Sequence, residues 1–162
     1  MATTYKPDYV TALEAVYGPP SQAGFGSAVF YELLPAGSDL TATALAHYRF
    51  FVGPLWERFG EDAWLTPWQA VYTRPPEAER SIEAELRAVP DRAAALSASM
   101  LLENGDEATT ALTVAYDDLA VTDLVVYNVG DGAAISGVLI AGRREGSDAA
   151  TAEAVFLILL LD

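Results

Sequence analysis

Side chains that commonly carry covalent chemistry are nearly missing from this sequence. It has no cysteine and a single histidine, His47, so thiolate nucleophiles, cysteine-ligated zinc and multi-histidine metal sites are excluded. The one lysine, Lys6, sits close to the start of the chain, a poor position for a Schiff base or for cradling phosphate. Acid–base or nucleophilic work would fall to carboxylates, tyrosine, serine or arginine. His47, flanked by Tyr48 and Arg49, has the chemistry of a general base, but no nucleophile or orienting partner is visible near it in the sequence.

Two acidic clusters have the ligand chemistry for a hard cation such as Mg²⁺: Glu103, Asp106 and Glu107, and Asp117, Asp118 and Asp123. Neither has the ordered spacing of a calcium loop, and both fall where helices are predicted to start or stop, positions at which carboxylates cap backbone N–H groups or face water. No metal or other cofactor is therefore expected, with Asp117, Asp118 and Asp123 the residues a cation would use. Arg143 and Arg144, at the end of a predicted strand, could grip a carboxylate or phosphate bidentately, or simply sit solvated in a loop. Tyr48, Trp56, Trp64 and Trp68 lie in an aromatic stretch over residues 48–72 that could wall a ligand pocket or fill a core. Gly130-Asp131-Gly132 has the look of a phosphate loop, but a strand follows it where such a loop needs a helix, so a hairpin turn with a glycine at positive φ is predicted. Gly137, inside the next strand, predicts a bulge or a close backbone approach, with an aromatic ring over it.

The elements that must position these residues follow from periodicity and punctuation. A helix is predicted over Asp8–Tyr17, capped by Asp8 and stopped by Gly18-Pro19-Pro20. After a flexible Gly24-Phe25-Gly26, Ser27–Leu34 reads as a strand with Glu32 at its wetter position. Ser38 or Asp39 caps a second helix with Leu40, Ala44, Tyr48 and Phe51 on one face, broken at Gly53-Pro54, and Pro54 opens a helical turn through Phe59. The Pro-punctuated stretch from Trp64 to Pro76 reads as a long connection. Pro76 then starts a helix with Ile82, Leu86 and Val89, and Pro90 ends it while opening another with Leu96, Met100 and Leu101. A third, from Asp106, carries Ala108, Ala111, Leu112, Ala115 and Tyr116, although its Thr-rich alternation also fits a strand over 106–117. Thr122–Asn128, Ala134–Ala141 and Ala154–Leu161 form an antiparallel meander, with Arg143 to Asp148 as the connection between its last two strands. Its last run is apolar at odd and even positions alike, which predicts a strand covered on both faces and flanked on both sides, with Ser27–Leu34 as its outer neighbour.

A chain of this length, 52% hydrophobic with a mean hydropathy of +0.20, has the composition of one folded domain. The expected fold is a single α+β domain over residues 1–162. Its mainly antiparallel sheet, with a C-terminal three-stranded meander over about 122–161, is packed by N-terminal and central helices. Lys+Arg 9 against Asp+Glu 23 leaves a formal charge of −14. Such a surface repels phosphate backbones and anionic lipid, so nucleic acid and membranes are not expected partners, and net negative charge also serves solubility. The N-terminus lacks the apolar segment of a signal peptide and the longest apolar run is far short of a membrane span, so a cytoplasmic location is expected. Acidity and the lack of catalytic equipment point to a non-enzymatic protein-binding or regulatory module with a basic protein partner. The alternative is a carboxylate- or Mg²⁺-dependent enzyme, or a small-ligand binder, built on the aromatic region 48–72.

Overall fold

The apolar run near the end of the chain lies in the middle of the sheet. In a computed structural model, which describes residues 6–22, 24–145 and 150–161, Thr151–Leu161 is a strand (β5) paired antiparallel with Gly26–Pro35 (β1) on one side and Ser136–Glu145 (β4) on the other. Val121–Gly130 (β3) pairs with β4, and Gln69–Thr73 (β2) pairs with β3 at the far edge, giving the order β1-β5-β4-β3-β2, antiparallel throughout. The α+β class, the C-terminal meander and the position of β1 beside β5 are as the sequence predicts. Residues 146–148 of the connection between β4 and β5 lie outside the described residues.

Successive side chains of a strand point to opposite faces. β5 accordingly sends Val155, Leu157 and Leu159 to one side and Phe156, Ile158 and Leu160 to the other, and both sets are buried. Helices α1 (Asp8–Tyr17), α5 (Ile82–Arg87), α6 (Arg92–Leu102) and α7 (Asp106–Tyr116) cover the first face. The second is covered by α2 (Leu40–Val52) and two short helices, α3 (Leu55–Phe59) and α4 (Glu61–Leu65). The result is three layers, helix, sheet and helix, around two cores that share the sheet.

Several local expectations are corrected by tertiary contacts. Pro7 occupies the N-cap of α1 and Asp8 is its first helical residue, its carboxylate making no capping bond. Gly105 likewise precedes α7 as N-cap, with Asp106 inside the helix. The helix predicted from Pro76 begins only at Ile82, because Ser81 Oγ accepts the Ala84 N–H and the Asp117 carboxylate accepts the Ile82 N–H, so both orphan donors are satisfied there. The stretch from Trp64 to Pro76 is not a plain connection: it holds the end of α4 and all of β2, a five-residue edge strand too short and too interrupted to show a clear alternation. In α6, Leu96 and Met100 face outward, at 67% and 40% exposure, while the small residues Ala94, Ser97 and Ala98 make the contact with the sheet. The segment over 106–116 is helical, resolving its double pattern, with the buried face predicted for a helix.

Glycines mark where backbones approach. Gly130 and Gly132 take positive φ, 132° and 77°, at the β3–β4 hairpin, and Asp131 Oδ1 accepts from the N–H groups of Ala133 and Ile135 to hold the loop. A Cβ on Gly137 would collide with the Leu159 carbonyl of β5, the close backbone approach predicted there. The ring expected above Gly137 is instead above Gly142: a Cβ at 142 would stand 2.7 Å from two carbons of Tyr116, a fully buried side chain. Gly142→Ala should cost about 1–3 kcal/mol by overpacking, measured by urea unfolding. Tyr116→Phe, which keeps the ring, should not relieve that cost, whereas Tyr116→Leu in the Gly142→Ala background should recover part of it.

Candidate functional site

The four aromatic residues singled out by the sequence are brought together. Tyr48 on α2 meets Trp56 edge-on at 5.3 Å between ring centroids and stacks on Trp68 at 5.3 Å, while Trp56 stacks on Trp64 at 6.2 Å and Trp68 on Tyr127 at 4.5 Å. The rings occupy the space between one another. The Tyr48 hydroxyl lies 2.9 Å from the Gly130 carbonyl and 3.1 Å from that of Trp64, and it accepts from the Gly130 N–H, so it ties α2 to the β3–β4 hairpin and to α4. Burial pushes its phenol pKa up. Trp56 also lines a groove of about 590 Å³ with Gln22, Arg49, Phe50 and Glu57, in which the Arg49 guanidinium stands 5.8 Å from the Trp56 ring centroid.

Arg143 and Arg144 reach two of the three aspartates of the second acidic cluster, Asp123 and Asp118. Arg143 donates to Asp123 Oδ2 at 2.9 Å and to the Ser38 carbonyl at 2.7 Å. Arg144 donates to the Val114 and Ala115 carbonyls at the C-terminal end of α7, where the helix dipole favours a cation, and lies 3.8 Å above the ring of Tyr9. It stands 3.9 Å from Asp118, whose other oxygen accepts from the Ala120 N–H. Asp117 is turned inward, toward Arg74 and the start of α5. Among the described residues no group of three or more His, Cys, Asp or Glu side chains is placed to hold a metal ion.

Sequence reasoning missed the most buried charges. Arg74, just after β2, is 6% exposed and makes a bidentate pair with Glu85 of α5, Nη2 to Oε1 at 2.6 Å and Nε to Oε2 at 2.9 Å. It also donates to Asp117 at 2.9 Å and to the Tyr116 carbonyl at 2.7 Å, and Tyr72 donates to Glu85 Oε2 at 2.5 Å. Burial alone would disfavour the guanidinium charge, but the two carboxylates outweigh it and raise the Arg74 pKa. Burial lifts Asp117 above the usual carboxylate range, against the pull of the Ile82 N–H and of Arg74. These partners lie far apart in sequence, with nothing in their spacing to signal the network. It clamps the β2 edge to α5 and to the end of α7.

Two further open grooves lie on the outer surfaces of the described residues. One, of about 570 Å³, runs between α1 and α7. Tyr9 lies against Arg144, which caps the end of α7, and Tyr17 donates to Leu101 near the end of α6, so the two helices run antiparallel. The floor is Ala12, Ala15, Val16, Ala111 and Val114, with Asp8 at one end and Asp106 and Glu107 at the other. None of these three carboxylates has a side-chain partner among the described residues. Small alanines on facing helix stripes were the only sequence signal for it. The other groove, of about 600 Å³, lies between β1 and α2, and there Glu32 accepts from His47 Nε2 at 3.0 Å. The orienting partner absent from the neighbourhood of His47 in sequence comes from the adjacent strand.

No protein-family model, curated protein or solved structure matches this chain. Among the described residues no helix is long and apolar enough to cross a membrane.

The buried network sets a stability test. Arg74→Met leaves Glu85 and Asp117 facing each other without a cation and should cost roughly 3–5 kcal/mol in urea unfolding. Adding Glu85→Gln and Asp117→Asn should return part of that, since no charge then stays buried alone. Alkaline pH gives a second test. Burial, reinforced by the bond to Glu85, pushes Tyr72 up to about 12, burial takes Tyr17 to about 12, and burial also raises Tyr9, Tyr48, Tyr116 and Tyr127. A folded state with raised phenol pKa values holds protons that the unfolded chain releases near pH 10. Stability should therefore be intact below about pH 10 and fall between about pH 10 and 12. In a spectrophotometric titration these phenols should ionise together with unfolding, not ahead of it.

Proposed function

We propose that this protein is a non-enzymatic binding module whose partner is a basic, amphipathic protein segment seated in the groove between α1 and α7. The observation that carries this reading is the pairing of an apolar floor with carboxylates at both ends, Asp8 at one and Asp106 and Glu107 at the other. Val114, at 51% exposure, offers apolar surface toward the Asp8 end. Eight residues of α1 separate Asp8 from Val16, a span of about 12 Å, which suits a partner helix with basic residues two turns apart and apolar residues between them.

The distribution of charge supports the same reading. Lys6, Arg74, Arg87, Arg143 and Arg144 face carboxylates of the chain itself, and Arg80 donates to the carbonyls of Asp118 and Val121. The excess of carboxylates is thus left on the surface, where it attracts a positively charged partner and accelerates encounter.

The test uses a fluorescent synthetic helix with leucines at i, i+3, i+4 and i+7 and lysines on the flanks, followed by stopped-flow anisotropy. Its association rate should fall steeply between about 0.01 and 1 M salt, over which the Debye length shrinks from roughly 30 to 3 Å, while the dissociation rate changes much less. Asp8→Asn with Asp106→Asn and Glu107→Gln should slow association, and Val114→Asp should speed dissociation. Equal binding of the same helix with glutamates in place of lysines, or rates indifferent to salt, would refute the reading.

A further inference from the structure

We propose that the groove between β1 and α2 is a binding site for a small organic ammonium compound, a protonated amine with an apolar body, with Glu32 as its counter-ion. This site lies on the opposite face of the sheet from the α1–α7 groove and does not depend on the reading given for that groove.

The inference comes from what the groove offers and what it lacks. The His47 ring is held between Phe30 and Phe156, at 4.9 and 4.7 Å between centroids, and its Nε2 is bonded to Glu32 Oε2, so its orientation is set on three sides. Glu32 Oε1, on a side chain 44% exposed, makes no hydrogen bond among the described residues. The Thr43 hydroxyl is already donating to the Asp39 carbonyl.

Around this acceptor the lining is apolar. Pro20, Ala42 and Ala46 contribute aliphatic surface, and Phe50, half exposed, stands edge-on to Phe30 at 6.0 Å and 89°. No lysine or arginine lines this groove, and Arg49, in the adjoining one, has its guanidinium over Trp56. A ligand complementary to such a surface brings hydrogen-bond donors, a positive charge and an apolar group. An ammonium supplies the first two to Glu32 Oε1, and its charge is further favoured by the exposed ring of Phe50. An anion would meet Glu32 with nothing to offset the repulsion.

The probe is 2-phenylethylammonium at about pH 8, titrated into isotopically labelled protein by NMR and calorimetry, beside 2-phenylethanol and 3-phenylpropionate as neutral and anionic counterparts. Saturable binding of the ammonium is expected, with shifts confined to residues 30–32 and 42–50, weaker binding of the alcohol and none of the carboxylate. Glu32→Gln should raise the Kd at least tenfold. Phe50→Ala, which leaves the Glu32–His47 bond in place, should raise it severalfold with the far-ultraviolet circular dichroism unchanged. Lack of saturable binding, a carboxylate that binds as tightly as the ammonium, or a Kd indifferent to Glu32→Gln would each overturn the proposal.

Discussion

Everything in this molecule is arranged around the need to remove both faces of β5 from water. Val155 to Leu160 are six consecutive large apolar residues, each at 9% exposure or less. At roughly 1.5–3 kcal/mol for each fully buried side chain, that strand alone gains about 9–18 kcal/mol, comparable to the whole net stability of a typical domain. Such a strand is unstable at an edge and unstable under a single layer of helices. It has to be paired on both sides and covered on both faces, and the three-layer arrangement meets both conditions. β1 supplies the outer pairing partner even though more than a hundred residues separate the two strands.

Once the centre is committed to apolar contact, charge is displaced to the seams. Arg74, Glu85 and Asp117 meet where the short edge strand β2 must be joined to α5 and α7, and their mutual satisfaction lets ionised groups stay buried without a partner from water. Arg143 and Arg144 close a similar seam where β4 emerges beside α7 and the start of α2, each spending its donors on carbonyls as well as carboxylates. Edge protection comes from the same economy of short elements: β2 has five residues, and β1 ends at Pro35. The aromatic side chains of α2, α3 and α4 then fill the second core through stacked and edge-on contacts that also fix the β3–β4 hairpin.

The α1–α7 and β1–α2 grooves are places where this packing leaves helices and strand incompletely covered, and they differ in chemistry. Between α1 and α7 small side chains bring the helices together and leave a shallow apolar trough with carboxylates at its ends. Between β1 and α2 a histidine is locked by aromatic contacts and a carboxylate, beside an apolar lining. Both are matched to positive charge, in keeping with a chain whose own cations are largely spent internally.

The sequence by itself determined the elements whose cause is local or nearly so. The all-apolar run at Ala154–Leu161 required a central strand, Asp39 and Gly53 bounded α2, and glycines at 130 and 132 required a turn, because each is a matter of period, capping or backbone freedom. It also determined the charge and the absence of thiol chemistry. Tertiary structure decided what depends on pairs distant in the chain: that Pro76 does not open a helix because Asp117 caps it at Ile82, that Gln69–Thr73 gains enough from β3 to be a strand, and that the ring of Tyr116 lies over Gly142. It alone joined Glu32 to His47 and Arg74 to Glu85 and Asp117. A side chain's partner is set by which faces the sheet brings together, and no spacing along the chain encodes that distance.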